Sequence, residues 1–422
     1  MADLSQIPPT ACATTVDTTQ VVSIPLLCHE IDTARMNLTS YSEIKAREDQ
    51  LRVNYALAAD SPDRLDQANP VHGLIQWNDK IHKAVERAWS TIDNSSYTQD
   101  RSAILAKAAL FKHIHSNDID ERLIERLGTF QTLVPEQFQD RIAIAGGSVL
   151  DVLLNCGYHD YDIFFFGNHD PNQTLKEYLE YLQTTKHFYI DYGTRGRNVI
   201  TINNELQIIL RHYKSPSEIV TGFDVDCCGV VYAFGQIYLT ERALHAISTR
   251  TNVVDVDRVS SSYEWRLAKY AEQRGFRIVV PNLNKDQVNW YKVLQNFVGN
   301  RSPTQSEHLT KLLYLELYVD KKGFLPQIFK QSDYQDKWCK SLLRCHHGSI
   351  IMFDEEKHPA QLAGYFTAKW QYLLELPAVY AGNTIIPIKP EFLTVNPGRQ
   401  CTSSFQPIDK TWPEWFGDIL NE

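Results

Sequence analysis

The 422-residue chain has no uncharged apolar stretch long enough to cross a bilayer. Its best candidate, Cys227 to Thr240, falls short of the roughly 18–20 residues that a spanning helix needs. It also contains Gly and Gln, and reads as two strands with a turn. The first 25 residues lack a basic start and an apolar signal core, so an intracellular, cytoplasmic protein with no membrane contact is expected. Positive charge is not in excess: 42 Lys and Arg against 51 Asp and Glu leave −9. That argues against coating nucleic acid by charge alone. It leaves room for a local basic cleft, and suits metal cations or basic partners. No CxxC pair occurs among the eight cysteines, Cys12, Cys28, Cys156, Cys227, Cys228, Cys339, Cys345 and Cys401. Their irregular spacing reads as reduced thiols, and the adjacent Cys345, His346 and His347 give awkward geometry for zinc. GxGxxG and Gly-Lys-Ser/Thr are both absent, which removes the Rossmann and Walker phosphate loops. There is no internal repeat and no heptad run.

What is present is ordinary globular composition, 43% apolar and 22% charged. The length suggests two or three domains at roughly 100–200 residues each. Residues 1–25, rich in Thr, Ser and Pro, read as a flexible arm. Residues 26–137 are patterned mainly as helices, with apolar residues at helical spacing over 101–116 and 120–133. Residues 138–280 alternate between strands and helices. Strands are expected over 141–145, 160–166, 188–191, 199–203, 206–213, 223–231 and 236–239. Helices are expected over 149–154, 175–185, 241–248 and 263–273, with a single helical turn at 216–221. Residues 281–376 read as a C-terminal helical region and 377–422 as a loop-rich tail. The fold class expected is α+β, a mixed β-sheet core flanked by N- and C-terminal helical regions, with the sheet's own helices on one face.

The informative unit opens the middle block. A strand runs into Gly146-Gly147-Ser148, a short helix follows, and Asp160-Tyr161-Asp162 starts the next strand. Two acids two apart on an extended chain face the same side. Parallel carboxylates repel unless a cation lies between them, which suits Mg²⁺ (or Mn²⁺), an ion that takes oxygen ligands and substrate phosphates. Gly146 and Gly147 let backbone approach a phosphate, the following helix N-terminus presents orphan N–H groups, and Ser148 adds a hydroxyl. A third carboxylate is expected on a neighbouring strand, and Phe223-Asp224-Val225-Asp226 offers Asp224 or Asp226. Arg195, Arg197, Arg211 and Lys214 are candidate phosphate contacts.

These residues resemble the polymerase-β-like nucleotidyltransferase superfamily. Gly147 and Ser148 match its Gly-Ser turn, Asp160 and Asp162 its metal-binding pair, and Asp224 or Asp226 its third carboxylate. The resemblance covers about residues 138–280. A narrower similarity, carried by Phe223–Cys228, Tyr263–Phe276, Asn396–Gln400 and Ser403–Pro407, is to a divergent nucleotidyltransferase-like group of large DNA viruses, fungi and amoebae. The narrower similarity points to a viral or eukaryotic type; the superfamily resemblance implies a nucleotide-binding magnesium transferase using two Mg ions. A nucleotidyl group would pass from a nucleoside triphosphate such as ATP to a hydroxyl on an RNA end, a protein or a nucleotide. Asp160, Asp162 and Asp224 or Asp226 would be catalytic, with Asp160, Asp162 and Asp226 as metal ligands. Gly146, Gly147, Ser148, Arg197 and Arg211 would hold the nucleotide. One departure stands out: the basic residue that usually follows the Gly-Ser motif is replaced by Val149 and Leu150. The rival reading is a catalytically inactive scaffold, capsid-like or interaction protein on the same fold, assembling with copies of itself.

Overall fold

The computed structural model describes residues 38–58, 61–93, 127–154, 160–184, 193–195, 199–203, 205–260, 263–274 and 276–281, with short stretches beyond. The expected arm at 1–25, the helix at 101–116, the strand at 188–191, and nearly all of the C-terminal helical region and tail lie outside the described residues.

In the N-terminal part, helix α1 (Leu38–Leu57) leads through the short α2 (Leu65–Ala68) to strand β1 (Ile75–Gln76) and helix α3 (Asp79–Asp93). Asn78 starts α3, its side-chain oxygen accepting from the amides of Lys80 and Ile81. Residues 127–133 are helical. The alternating block then runs β2 (Ile142–Ala145), α4 (Gly147–Leu153), β3 (Tyr161–Phe166), α5 (Pro171–Thr184), β4 (Gly193–Arg195), β5 (Val199–Ile202) and β6 (Leu206–Tyr213). It continues with α6 (Pro216–Thr221), β7 (Val230–Ala233), β8 (Gln236–Leu239), α7 (Glu241–Thr249), β9 (Thr251–Val253), α8 (Tyr263–Arg274) and β10 (Arg277–Val279). Local chemistry explains the boundaries. Ser215 caps α6 ahead of Pro216, and Thr240 caps α7, which ends at Arg250 in the left-handed region.

The main sheet is mixed, with described order β1-β8-β7-β2-β3-β6-β5-β4-β11, where β11 is Ile350–Ile351. The pairing of β3 with β6 is parallel, and α5 lies in the crossover between them. The strand Leu393–Thr394 also pairs in parallel with β6, at Arg211 and His212. The architecture is therefore α+β, a mixed sheet with helices around it.

Helices cover both faces, not one. Phe165 and Phe164 point to opposite faces of β3. Phe165 meets Tyr178 of α5, and Phe164 meets Phe223 in the segment after α6. The cause is in the run Ile163–Phe166, whose four side chains are all buried, so neither face could be left to water. The core continues through Phe130, Ile144, Ile208 and Tyr232. The N-terminal part is bonded directly to this sheet. β1 pairs with β8, and Tyr55 of α1 shares a 2.7 Å hydrogen bond with Ser217 of α6. Trp89 Nε1 of α3 donates to the Ile247 carbonyl at 2.7 Å.

Candidate active site

The Gly-Gly-Ser turn is built where β2 ends. Gly146 has φ +85° and ψ −139°, a conformation open essentially to glycine alone. A Cβ there would lie 3.5 Å from the Phe223 ring and 3.8 Å from Asp162 Oδ2. A Cβ on Gly147 would come within 2.9 Å of the Tyr270 hydroxyl. The turn is thus walled by β3 on one side and α8 on the other. Ser148 is 3% exposed, and its hydroxyl has no hydrogen-bond partner among the described residues.

Asp162 comes to this turn. Register pairs Ala145 with Asp162, so the carboxylate stands across from the end of β2. Asp160 lies two residues earlier and accepts a 2.7 Å hydrogen bond from Gln207 Nε2, while Gln207 itself is in register with Asp162. Asp162 is half-buried, and its carboxyl is pushed up to about 8. Burial is the largest cause and the Asp160 charge the next; Lys269 and Arg266 pull the other way without prevailing. This pair is short of positive charge.

The third carboxylate is not where the sequence suggests. The strands flanking β3 are β2 and β6, and neither contains an acid. The stretch 223–231 is not one strand: a tight helical turn occupies Asp226–Cys228, and β7 begins only at Val230. The alternation Phe-Asp-Val-Asp mimics a strand, but both acids turn inward to distant partners. Asp226 is fully buried. It accepts from Arg242 at 2.7 Å, from the Val253 amide at 2.8 Å, and from the Tyr41 hydroxyl with both oxygens at 3.1 Å. Burial raises its carboxyl to about 6 against the pull of Arg242. These bonds make it a structural acid, with neither oxygen left to face a metal. Asp224, also buried, accepts from Ser260 Oγ at 3.0 Å and from Arg266. Cys227 and Cys228 are free thiols, both buried in the same turn rather than alternating in and out.

The expected basic residues are not gathered at the acids. Arg211 lies four residues along β6 from Gln207, roughly 13 Å at strand rise, at the end that pairs with Leu393. Arg195 is on β4, three strands from β3. Lys214 leads into α6, where its amide donates to Glu218. Arg197 lies outside the described residues. The cations that do act on Asp162 are Arg266 and Lys269 of α8. A signal for them exists in the sequence. Arg266, Tyr270 and Arg274 recur every four residues, so they share one helix face, with Lys269 beside them.

Among the described residues no three metal-ligating side chains cluster. The residues present still fit one divalent cation. Asp162, desolvated and repelled by Asp160, faces the turn at Gly146, and the same turn carries the Ser148 hydroxyl, buried with no partner among the described residues. Mg²⁺ commonly completes such a shell with water and ligand phosphates. Among the described residues, no helix is long and apolar enough to cross a membrane.

Comparison with known proteins matches residues 109–250 to a family described as Gabija anti-defense 2 family protein. The matched span contains the Gly-Gly-Ser turn, both acids, and Asp226 with its partner Arg242, and stops before α8. A curated relative, the uncharacterized protein R883 of Acanthamoeba polyphaga mimivirus, is 25% identical over 381 residues, covering 67% of this chain and 83% of that protein. Solved structures with some likeness include a CCA-adding enzyme with CTP, at 14% identity, TM-score 0.30, and 48% and 54% coverage of the two chains. Another is the Thermotoga maritima CCA-adding enzyme complexed with tRNA, at 15% identity, TM-score 0.30, and 53% and 55% coverage. The chain spans about half the length of these solved proteins.

Proposed function

We propose that the protein binds a nucleoside triphosphate with a divalent cation and transfers its nucleotidyl group to a hydroxyl acceptor. The observation that carries this reading is the paired acids Asp160 and Asp162, with Asp162 set against the glycine turn and its carboxyl raised to about 8 by burial and by the Asp160 charge. Asp160 and Asp162 would hold Mg²⁺ or Mn²⁺, and when bound the ion would neutralise the pair and draw charge from the phosphates. Helix α4 has only seven residues, so its dipole is a minor contribution. The phosphates would instead meet Ser148, the turn amides and Lys269. Gly146 and Gly147 let Phe223, Asp162 and the Tyr270 hydroxyl close onto the turn. In the transfer, the acceptor oxygen bonds to the α-phosphorus, the α–β anhydride bond breaks, pyrophosphate leaves, and the hydroxyl proton is released to solvent. An RNA end, a protein side chain or a second nucleotide could serve as acceptor. A single cation is the economical reading, because the strands beside β3 supply no further carboxylate for a second.

The test is incubation with labelled nucleoside triphosphates, Mg²⁺ or Mn²⁺, and each class of acceptor. Label transfer that survives Asp160→Ala together with Asp162→Ala would remove these residues from the chemistry.

A second reading rests on Gln207, an amide in register with Asp162 where a carboxylate was expected. On this reading the site binds nucleotide without turnover and the chain works as a scaffold or interaction protein, with self-association as its expected form. Triphosphate binding without label transfer, in a large closed assembly by size measurement, would favour it.

A further inference from the structure

Helix α8 meets α4 at two successive turns with one constant offset. The Tyr270 hydroxyl abuts Gly147, and Arg274 forks onto Asp151 with Nε–Oδ1 at 2.7 Å and a second contact to Oδ2 at 2.5 Å. Asp151 lies one turn after Gly147, and Arg274 one turn after Tyr270. The two helices therefore run side by side in parallel register, since four residues on one match four on the other. One more turn back along α8 reaches Arg266. There Arg266 is bonded to Asp224 and Ser260, so the level of α8 that meets the Gly146–Ser148 turn is that of Tyr270, where Lys269 Nζ lies 5.9 Å from the Tyr270 ring centroid. Among the described residues, Lys269 and Arg266 of α8 are the cations whose charge acts on Asp162. The Asp151–Arg274 pair is the deepest fixed point of this arrangement, with the side chains 2% and 5% exposed. A buried two-bond fork holds direction as well as distance.

We propose that Asp151 and Arg274 are positioning residues. They fix the register of α8 against α4 so that Lys269, beside Tyr270, stands at the Gly146–Ser148 turn, where it meets the polyphosphate of a bound ligand. This inference rests on the reading of that turn as a triphosphate site. Neither residue touches the ligand. Loss of the fork lets α8 slide or rotate, and an error of about one ångström in a charge clamp is enough to lose much of its effect.

The experiment measures binding of Mg²⁺-ATP and of inorganic tripolyphosphate to the full chain by calorimetry, alongside thermal melting. If the unaltered protein binds neither probe, the triphosphate reading itself fails and this inference falls with it. If it binds, Lys269→Ala should weaken tripolyphosphate about tenfold. Arg274→Lys, which keeps the charge but loses the fork, should weaken it by a similar factor with the protein still folded. Asp151→Asn is the second probe of the same fork. The decisive readout is coupling: in the Arg274→Lys background, Lys269→Ala should have little further effect, because the lysine is already misplaced. Full additivity, or unchanged affinity with a lowered melting temperature, would show that the pair only stabilises the fold and would overturn the proposal. Should Arg274→Lys fail to fold, the same cycle run on Asp151→Asn decides between the two results. Should that variant also fail to fold, a purely structural role stands and the proposal is overturned.

Discussion

Replacing Asp162 by Asn should make the metal-free protein more stable at neutral pH, although it removes an acid of the candidate site. The carboxyl of Asp162 is held up to about 8 in the fold, against an ordinary 3.8. Between those two values the folded chain keeps a proton that the unfolded chain has lost. Stability therefore falls as pH rises from about 4 to about 8, and levels off above that. Each pH unit of such a difference is about 1.36 kcal/mol, which taken whole would exceed 5 kcal/mol. The carboxyl is only half-buried, and solvent screening cuts this to about 2–3 kcal/mol. Asn cannot titrate, so the variant escapes the penalty. At roughly 2–4 °C per kcal/mol for a domain of this size, the variant should melt some 5–10 °C above the unaltered protein at pH 8.5. The two should converge near pH 4. Added Mg²⁺ should raise the melting temperature of the unaltered protein at pH 8, by mass action on its ionised pair, and leave the variant unmoved. Parallel melting curves from pH 5 to 8.5, or a variant less stable than its parent at pH 8.5, would refute the reasoning.

Other expectations follow from the same geometry. Asp226→Asn leaves the Arg242 guanidinium short of its buried partner and should cost about 3–5 kcal/mol in chemical denaturation, while Mg²⁺ still raises the melting temperature of whatever protein folds. Gly146→Ala forces a side chain into a positive-φ conformation beside Phe223 and Asp162, and should cost about 1–3 kcal/mol and weaken triphosphate binding in a filter assay. Burial lowers His245 to about 4, so the unfolded chain alone gains that proton between about pH 6.5 and 4. His245→Gln should flatten the acid limb of the stability profile across that window, opposite in slope to the Asp162 effect.

Much of the alternating block was legible because its signals are local. The strand Leu206–Tyr213 and the turn of helix Pro216–Thr221 fall where the sequence pattern puts them. The Gly-Gly-Ser turn and the Asp160–Asp162 pair were legible for the same reason, since strand, turn and acid spacing lie within about twenty residues. The stretch 223–231 misled because alternation of apolar and acidic residues cannot reveal a turn whose acids point inward. What bends it is remote: Tyr41 and Arg242 on Asp226, and Ser260 and Arg266 on Asp224. Arg211 misled in another way. It does lie on the strand beside β3, but the length of β6 carries it to the opposite end from Gln207. Arg266 and Lys269 were readable as a helix face but not as neighbours of Asp162, because that contact depends on the docking of α8 against α4.

The packing of α1 sets a limit on what can be cut away. Arg242 has Glu48 at 2.8 Å, Asp226 has Tyr41, and Arg258 has Asp49 at 2.9 Å. All three of these α1 partners belong to the region before residue 58, whereas the groups they satisfy lie between 226 and 258. A fragment trimmed to the alternating block at residue 138 would keep every residue of the candidate site and leave three buried ionic groups each short of a partner. It would also strip β8 of its outer neighbour β1. Such a fragment should expose hydrophobic surface and aggregate on expression. The smallest autonomous unit that can carry the site therefore begins ahead of Tyr41, and the N-terminal helix is inherited with the sheet as a single cooperative body rather than as a removable attachment.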